Sequence, residues 1–362
     1  MKILLIGPLP PPITGNSIIN SCIIDSFEKH HKDIKMDAIN IGVPNFDNNF
    51  GQLNFTKLLL YIGQYKSIYK VFFTEVTYIS IGHTFFGILK YFPFFLLSKI
   101  LRKKIIVHVH TDYLWTLYNE SSTFKKHIIK TILSLTDKGI VLSPLLRRNL
   151  QAFISEQHIY ELPNFISETL LNHNINNTIV KKRKAPIKIL FLSNLIKSKG
   201  IIDFLEAMVI LEKKDLNFEI HVAGDIPIFM KEEVNLYFEK LKNIIHYHGV
   251  VKGNQKHALY LASNIFVFPT HQEAQGIVLL EAMATANIIL TTNVGGIPDI
   301  ISENINGYTI EVKNPQNIVE SILKIFDKIN LHEDMLKKNY YEVKEKYTEK
   351  KFFDNLYKII MD

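Results

Sequence analysis

The sequence predicts an α/β fold with two parallel-sheet domains, and three observations support this prediction. Short apolar segments rich in β-branched residues alternate with longer segments of helical periodicity, which is typical of sheets covered by helices. Several short segments are continuously apolar, as expected for strands buried on both faces. The pattern stops near Asn164 and begins again at Lys188, and a chain of 362 residues is long enough for two such domains.

Nine segments are predicted as strands from their apolar, β-rich composition. They are Lys2–Ile6, Thr77–Ile81, Lys104–His110, Gly139–Leu142, Lys188–Leu192, Glu219–Ala223, Ile244–His248, Ile265–Pro269 and Ile288–Thr291. In open α/β sheets, ligands bind beside the carboxyl ends of the strands. The residues that directly follow each strand are therefore the first candidates for a functional site.

The domain bounds follow from the interruptions of this pattern. We predict a first domain over residues 1–164, a second over 165–345, and a helix over 346–362 that returns to the first domain. The polar stretch from Asn172 to Lys184 is predicted to be a connection of low order, and its basic residues Lys181–Lys184 are interpreted as solvated surface. Two such domains are expected to face each other across a cleft.

Composition and charge favour a globular, cytoplasmic protein. The single cysteine, Cys22, has no partner for an internal disulfide, and the first apolar run is too short for a signal-peptide core. The most apolar region, Phe85–Leu101, is interrupted by lysines and a proline, so no transmembrane helix is predicted. The net charge of +7 comes without a module of the kinds that bind nucleic acid, so nucleic acid is not expected as a partner.

Two motifs of the first domain follow strands. The Pro-rich loop Gly7–Ser17 leads into a helix, where Gly15 would admit a ligand to the backbone and amides near Asn16 could hold a phosphate. The alternative is a rigid loop that ends in an Asn or Ser helix cap. His108 and His110 lie on one face of a strand end. They are interpreted either as a metal pair or as one packed histidine with His110 facing the cleft.

A lysine occupies the turn after the strand Lys188–Leu192. The segment Ser193–Gly200 leads from this strand into a helix, and Lys199 is predicted to face the cleft. Its ammonium could neutralise a diphosphate as a point charge. The alternative is a solvated loop lysine.

The most informative motif follows the buried strand Ile265–Pro269. Glu273 lies in the loop, Gly276 permits close approach, and a helix begins near Ile277, whose amides and dipole suit a diphosphate. Glu281 lies one turn into this helix, where a carboxylate can accept hydrogen bonds from both hydroxyls of a ribose. The alternative is an ordinary helix residue, although an unpaired carboxylate in this apolar context would be costly.

Taken together, these motifs and the Gly-rich run Asn293–Asp299 resemble the retaining glycosyltransferase family 4. The Glu273/Glu281 pair, the Lys199-Gly200 turn and the Asn293–Asp299 run are its most specific parts. The resemblance covers most of the chain and is densest in the second half. It implies the GT-B fold, in which two Rossmann-like domains face each other across a deep cleft.

The resemblance also implies a role for each candidate residue. Glu273 would contact the transferred sugar, His110 would lie near the reaction centre, and Lys199 would bind the donor diphosphate, so these three form the implied catalytic set. Glu281 would hold the nucleotide ribose. The implied donor-binding residues are Gly15, Asn16, Asn194, Lys199, Gly276, Ile277, Val278 and Glu281.

One position departs from the family pattern. Asn194 stands where the family often has an arginine, which removes a cation from the implied diphosphate site. Lys197 is a candidate to replace it. No metal is expected, because Lys199 and the helix amides can supply positive charge and the chain has no Asp-x-Asp pair. No cofactor is expected either, since the nucleotide sugar is a co-substrate.

The implied reaction moves a hexose or N-acetylhexosamine, with retention, from a UDP-sugar in preference to GDP-mannose. The implied acceptor is a saccharide or lipid-linked saccharide of bacterial surface polysaccharide assembly. The alternatives are a nucleotide-sugar epimerase of the same fold and a non-catalytic sugar-binding subunit. The apolar stretch Tyr91–Leu97 and the basic Arg102–Lys104 could seat the first domain on the inner face of the plasma membrane. The alternative is a buried helix.

Overall fold

The computed structural model describes residues 1–11, 14–31, 33–42, 63–82, 84–184, 186–214 and 216–362. Pro12 and Ile13 of the Pro-rich loop lie outside the described residues. The chain divides into two compact units, of which the first comprises Met1–Pro163 and Phe353–Asp362 and the second Asn164–Phe352. The divisions predicted from the sequence fall after residues 164 and 345.

The first unit is built on a parallel sheet of six strands in the order β2-β1-β3-β4-β5-β6. The strands are β1 Lys2–Gly7, β2 Lys35–Asn40, β3 Val76–Ile81, β4 Lys104–Val109, β5 Lys138–Val141 and β6 Ile159–Glu161. Its helices are α1 Gly15–His30, α2 Phe85–Leu89, α3 Phe92–Ile100, α4 Leu114–Glu120, α5 Thr123–Leu133 and α6 Arg148–Gln151. Strands β3 and β5 are buried along their whole length, as expected for central strands of a parallel sheet, although β3 includes Thr77 and Ser80 and β5 begins with Lys138.

The second unit is also built on a six-stranded parallel sheet, in the order β12-β11-β10-β7-β8-β9. The strands are β7 Ile187–Leu192, β8 Phe218–Ala223, β9 Ile245–Tyr247, β10 Ile265–Phe268, β11 Ile288–Thr292 and β12 Tyr308–Ile310. The helices are α7 Ile175–Lys184, α8 Ile201–Glu212, α9 Lys231–Lys240, α10 Gly253–Ala262, α11 Ile277–Ala284, α12 Pro315–Asp327, α13 Glu333–Lys346 and α14 Glu349–Met361. The boundary between the units falls within α14, after Phe352.

Both faces of the second sheet carry an apolar core, which explains why β10 and the second half of β7 are continuously apolar. Phe191 of β7 and Val222 of β8 lie in the core that includes residues of α8 and α12. Leu190 of β7 and Phe268 of β10 lie on the opposite face, in the core that includes residues of α11. Burial of each such side chain stabilises the fold by about 1.5–3 kcal/mol. The α/β fold predicted from the sequence is confirmed.

All nine predicted strands are present, and their bounds differ from the predicted ones by one residue at most at either end. The sequence did not indicate β2, β6 and β12. Each of these three strands lies at the edge of its sheet. Edge strands need not be apolar on both faces, so the continuous apolar runs used for prediction are missing there.

The polar stretch Asn172–Lys184 is a correction to the sequence prediction, because residues 175–184 form α7 rather than a connection of low order. Ile175 and Ile179 are buried in the core of the second unit. The Lys182 side chain is buried too, and its ammonium donates hydrogen bonds to the carbonyl oxygens of Tyr260, Thr285 and Ala286 at 3.0, 2.7 and 3.0 Å. Lys182 therefore ties α7 to the ends of α10 and α11 and is not solvated surface.

Candidate functional site

The turn between β7 and α8 is held against the end of β10 by a glycine. Gly200 has a φ of 75°, which favours glycine, and a Cβ atom there would lie 1.9 Å from the carbonyl oxygen of Pro269. The His271 amide also donates to the carbonyl of Ser198 at 2.9 Å. These contacts bring Lys199, which directly precedes the glycine, beside the loop that follows β10.

Lys199 and Glu273 form an ion pair in this loop. The Lys199 Nζ lies 2.9 Å from Oε2 of Glu273, and the two side chains are 26% and 17% exposed. The same ammonium lies 3.5 Å from the Gln272 carbonyl oxygen and 5.8 Å from the centre of the Phe268 ring. A part-buried pair is screened less by salt and water than a surface pair. The Lys199 ammonium is therefore held in one position by its neighbours and is not a freely solvated loop lysine.

The start of α11 adjoins this pair. Gly276 precedes the helix with a φ of 73°, and no side-chain hydrogen bond caps the helix at Gly276. A Cβ atom at Gly276 would lie 3.4 Å from Cγ of Glu273, so the glutamate lies directly beside the helix start. The amides of Gly276, Ile277 and the following residue, Val278, belong to a helix end that attracts negative charge. A cation, a carboxylate and an anion-attracting helix end thus lie side by side.

Glu281, the other glutamate of the motif, is buried and has two side-chain partners. The Lys256 ammonium lies 2.6 Å from Oε1, and the Tyr260 hydroxyl donates to Oε2 at 3.0 Å. Burial, with the Glu281 charge as a smaller cause, raises the pKa of Tyr260 well above its usual value. These contacts satisfy a carboxylate whose unpaired burial would be costly.

Sequence reasoning missed Lys256 and Tyr260. Both lie on α10, four residues apart and therefore on one face of the helix. This spacing is a signal that the sequence does contain. Their distance from Glu281, however, depends on how α10 packs against α11, which no local pattern specifies.

Lys197 does not join Lys199, as the sequence analysis suggested that it could. Its Nζ lies 2.9 Å from Oε2 of Glu233 on α9, and its side chain is 64% exposed. Asn194, in the same turn, is exposed. Lys197 is thus paired with α9 in this structure, and its part in the implied diphosphate site stays a prediction.

The Gly-rich run Asn293–Asp299 follows β11 at the same edge of the sheet. The Thr292 hydroxyl donates to the carbonyl oxygen of Thr270 at 2.5 Å, which joins the ends of β10 and β11. Gly295 has a φ of 60°, and Pro298 lies in a short 3-10 helix, Ile297–Asp299. The three loops after β7, β10 and β11 are thus connected by hydrogen bonds.

In the first unit, the Pro-rich loop ends in a helix cap at Thr14 rather than at an Asn or Ser. The Ser17 amide donates to Oγ1 of Thr14 at 3.1 Å, and the Thr14 amide donates to Oγ of Ser17 at 2.8 Å. Helix α1 begins at Gly15, which is exposed, and Asn16 follows in its first turn. A Cβ atom at Gly15 would meet nothing within 4 Å in the described part of the chain, so packing does not require this glycine.

The histidine pair at the end of β4 consists of one packed ring and one unpaired ring. Nδ1 of His108 lies 2.5 Å from the hydroxyl of Tyr78, and His108 is fully buried. The ring centres of His108 and His110 lie 3.8 Å apart, which confirms that they share a face of the strand. Both ring nitrogens of His110 are buried without a hydrogen-bond partner among the described residues. Burial lowers the pKa of His110 to about 3, so the ring is neutral at pH 7.

Part of the second unit is similar to a known protein family. Residues 174–342 match the family model described as glycosyl transferases, group 1. This region is similar to the group 1 glycosyltransferases, and the match covers just under half of the chain. It contains Lys199, Glu273 and Glu281, whereas the candidate residues of the first unit lie outside the match.

Two proteins that resemble this chain are also named as glycosyltransferases. The chain is 30% identical over 178 residues to the uncharacterized glycosyltransferase MJ1607 of Methanocaldococcus jannaschii, covering 48% of this chain and 45% of that protein. It is 26% identical over 168 residues to the capsular polysaccharide biosynthesis glycosyltransferase CapM of Staphylococcus aureus, covering 46% and 43%. The matched part thus spans less than half the length of these relatives.

The likeness to solved structures extends over the whole chain. The structure of Anabaena Alr3699/HepE in complex with UDP aligns with a TM-score of 0.76 at 14% identity and covers 100% of both chains. At this identity the likeness shows the fold alone. The two sheets with their helices are the GT-B fold that the family resemblance implied.

Proposed function

We propose that this protein is a retaining glycosyltransferase. It transfers a hexose or N-acetylhexosamine from a nucleotide-diphosphate sugar, a UDP-sugar in preference to GDP-mannose, to a saccharide or lipid-linked saccharide. The names of its relatives support the proposal, since CapM is named for capsular polysaccharide biosynthesis and HepE was solved with UDP and with UDP-glucose. Assembly of a bacterial surface polysaccharide is the process we propose.

The observation that carries this proposal is the juxtaposition of Lys199, Glu273 and the start of α11. A donor diphosphate needs positive charge at fixed positions, which an ammonium and a helix start both supply. We propose that Lys199 exchanges its ion pair with Glu273 for the diphosphate, and that Gly276, Ile277 and Val278 offer their amides. Glu273, released from the lysine, then contacts the transferred sugar. These groups supply the positive charge without a metal ion.

Glu281 supports the same proposal on the nucleotide side. A carboxylate has about four lone-pair positions, and two of them accept the bonds from Lys256 and Tyr260. Two positions remain for the two hydroxyls of a ribose. Lys256 and Tyr260 would then hold the carboxylate in one orientation, which limits the entropy lost when the donor binds.

The proposed chemistry is attack on the same face of the sugar from which the diphosphate departs. The leaving diphosphate accepts the proton of the acceptor hydroxyl while the anomeric carbon passes through an oxocarbenium-like state. Lys199 and the helix start stabilise the charge that develops on the diphosphate, because they are already oriented before the reaction begins. The roles assigned to Gly15, Asn16, Asn194 and His110 stay predictions.

Peripheral contact with an anionic membrane is a separate part of the proposal. Within the described residues, no helix has the length and apolar character needed to cross a membrane. Helix α3 buries Phe94 and Phe95 but leaves Leu96 and Ile100 exposed at 45% and 67%. Substitution of either exposed residue, Leu96→Asp or Ile100→Asp, should reduce the fraction of protein that floats with anionic liposomes at low salt. No flotation of the unmodified protein would contradict membrane contact and leave glycosyl transfer untouched.

The donor can be identified by thermal shift with a panel of nucleotides and nucleotide sugars. A ligand that binds the native state alone stabilises it by mass action, so the true donor raises the melting temperature. Transfer is then measured with saccharide acceptors, and the product anomer is determined by NMR. An altered donor sugar in the absence of acceptor would indicate an epimerase. Donor turnover that appears only with a partner protein would indicate a non-catalytic subunit.

A further inference from the structure

A group of histidines and a carboxylate lies on one face of the second sheet, outside the site described above. Glu219 and His221 are two residues apart on β8, so their side chains lie on the same face. His246 of β9 is the register partner of His221. Of the described residues, only Glu219, His221 and His246 form a group of three potential metal ligands with all ligand atoms within 4.8 Å of one another.

The distances within this group suit a small cation. Nε2 of His221 lies 3.2 Å from Oε2 of Glu219. Ligand atoms of a tetrahedral zinc site lie about 3.3–3.6 Å apart, given bonds of about 2.0–2.2 Å. The distance between these two atoms is slightly shorter than that spacing, so a small outward movement would make room for the ion. The ring of the exposed His246 stacks on that of His221 with centres 5.0 Å apart, so a turn of this ring would bring a third ligand to the same point.

A fourth residue, His248, orients the central ligand. Its Nε2 lies 2.9 Å from Nδ1 of His221, and the two rings stack with centres 5.1 Å apart. Without a metal, Nε2–H of His221 donates to the Glu219 carboxylate, and Nδ1 accepts from His248. A metal ion on Nε2 would replace that proton, and Nδ1–H of His221 would then donate to His248. Hydrogen bonding of the second ring nitrogen is the usual way in which proteins fix a metal-binding imidazole.

The group shares no residue with the proposed donor site. Glu219 lies near the amino end of β8, whereas Lys199 and Glu273 follow the carboxyl ends of β7 and β10. Lys188 is the competing cation, because its Nζ lies 3.1 Å from Oε2 of Glu219. A metal ion at this point would displace that ammonium, and the lysine charge would oppose binding.

We propose that Glu219, His221 and His246 bind a divalent transition-metal ion of the zinc type, with water at the fourth position. Two imidazoles and a carboxylate are ligands that zinc and its neighbours accept. The ion joins β8 to β9, an edge strand of only three residues. Its role is to stabilise this edge of the sheet.

Cobalt(II) is the probe, because a tetrahedral cobalt site absorbs visible light strongly. The full chain, free of any affinity tag and treated with a chelator, is titrated with Co²⁺ and then with Zn²⁺. We expect one equivalent of Co²⁺ to give the absorption band, Zn²⁺ to abolish it, and Zn²⁺ to raise the melting temperature. Absence of stoichiometric binding at micromolar protein would overturn the proposal.

Variants identify the ligands. His246→Ala should abolish the cobalt band, and since His246 is exposed the metal-free melting temperature should not change. His248→Ala should weaken binding about 10–100-fold, as loss of an orienting partner does. Lys188→Met should strengthen binding. The matched control is His127→Ala, an exposed histidine of α5. An unchanged band in His246→Ala, or weaker binding in Lys188→Met, would contradict the assignment.

Discussion

The two units hold their candidate residues in opposite ways. In the second unit, Glu273 and Glu281 each have a lysine ammonium within 2.9 Å. In the first unit, the buried ring of His110 is neutral, and neither nitrogen has a hydrogen-bond partner in the described ranges. Buried charges need partners, whereas a neutral imidazole is buried at lower cost. Under the proposed function, Lys199 and Glu273 exchange partners when the donor binds, whereas His110 can gain a partner without losing one.

The largest effect on activity is expected for Lys199, which exchanges its ion pair for the diphosphate in the proposed function. Lys199→Met should lower kcat/KM for glycosyl transfer about 10²–10³-fold, because it removes a preorganised charge that stabilises the leaving group. Steady-state kinetics with the donor found by thermal shift measures this loss. Lys197→Met is the matched control from the same turn, since that lysine pairs with Glu233. It should change kcat/KM by no more than about twofold. Equal losses in both variants would mean that the pairing in the turn does not distinguish the two lysines.

Glu281→Ala tests the second carboxylate. It should raise the KM for the donor by at least about 10–100-fold, because each lost hydrogen bond to a charged group is worth about 1.5–3 kcal/mol. A smaller change in kcat is expected, since the ribose is bound equally in the ground state and the transition state. Glu239→Ala, an exposed glutamate on α9, serves as control. Loss of kcat at unchanged KM would place Glu281 at the reaction rather than at the ribose.

Tyr260→Phe sharpens the comparison, because it removes one bond to Glu281 and keeps the charge. The expected rise in donor KM is about tenfold, equivalent to about 1.4 kcal/mol. Tyr237→Phe is a close control, because its hydroxyl donates to Glu206 at 2.9 Å in the same way that Tyr260 donates to Glu281 at 3.0 Å. A similar change of KM in both variants would show that Tyr260 acts through stability alone.

The last prediction concerns stability rather than activity, through His110 and pH. Since burial lowers its pKa to about 3 from a usual value of 6.5, the unfolded chain binds a proton between these pH values and the native chain does not. Stability should therefore fall as pH falls from about 6.5 to 3, by at most about 1.4 kcal/mol per pH unit from this residue. Histidine NMR, with His110→Gln for assignment, should show no titration of this ring above about pH 5. An inflection near pH 6.5 would contradict the difference between the units.

The interior of both sheets could be predicted from the sequence because burial on both faces leaves a continuous apolar run. The edge strands β2, β6 and β12 could not. In β2, the exposed Lys35 and Asp37 alternate with buried residues, and β6 and β12 have three residues each. Their pairing depends on a neighbouring strand that is distant in sequence.

The candidate site divides in the same way. Lys199 and Glu273 follow strand ends, so the rule for ligand sites in parallel sheets points to both. Their ion pair depends on Gly200 packing against Pro269, a contact between segments about seventy residues apart. The partners of Glu281 on α10 were missed for the same reason. The prediction that Lys182 is solvated was wrong, because a basic segment in the sequence does not show which carbonyl oxygens accept hydrogen bonds from it.

Lys182 offers a way to time the opening of the second unit. An amine-labelling reagent reacts with exposed lysines at once but reaches this amine only after α7 leaves the carbonyls that hold it. The labelling rate, followed by mass spectrometry, therefore reports a local opening equilibrium rather than surface accessibility. A donor bound at the start of α11 should slow the labelling of Lys182. The labelling rate of this one amine would then report ligand binding at a different part of the helix.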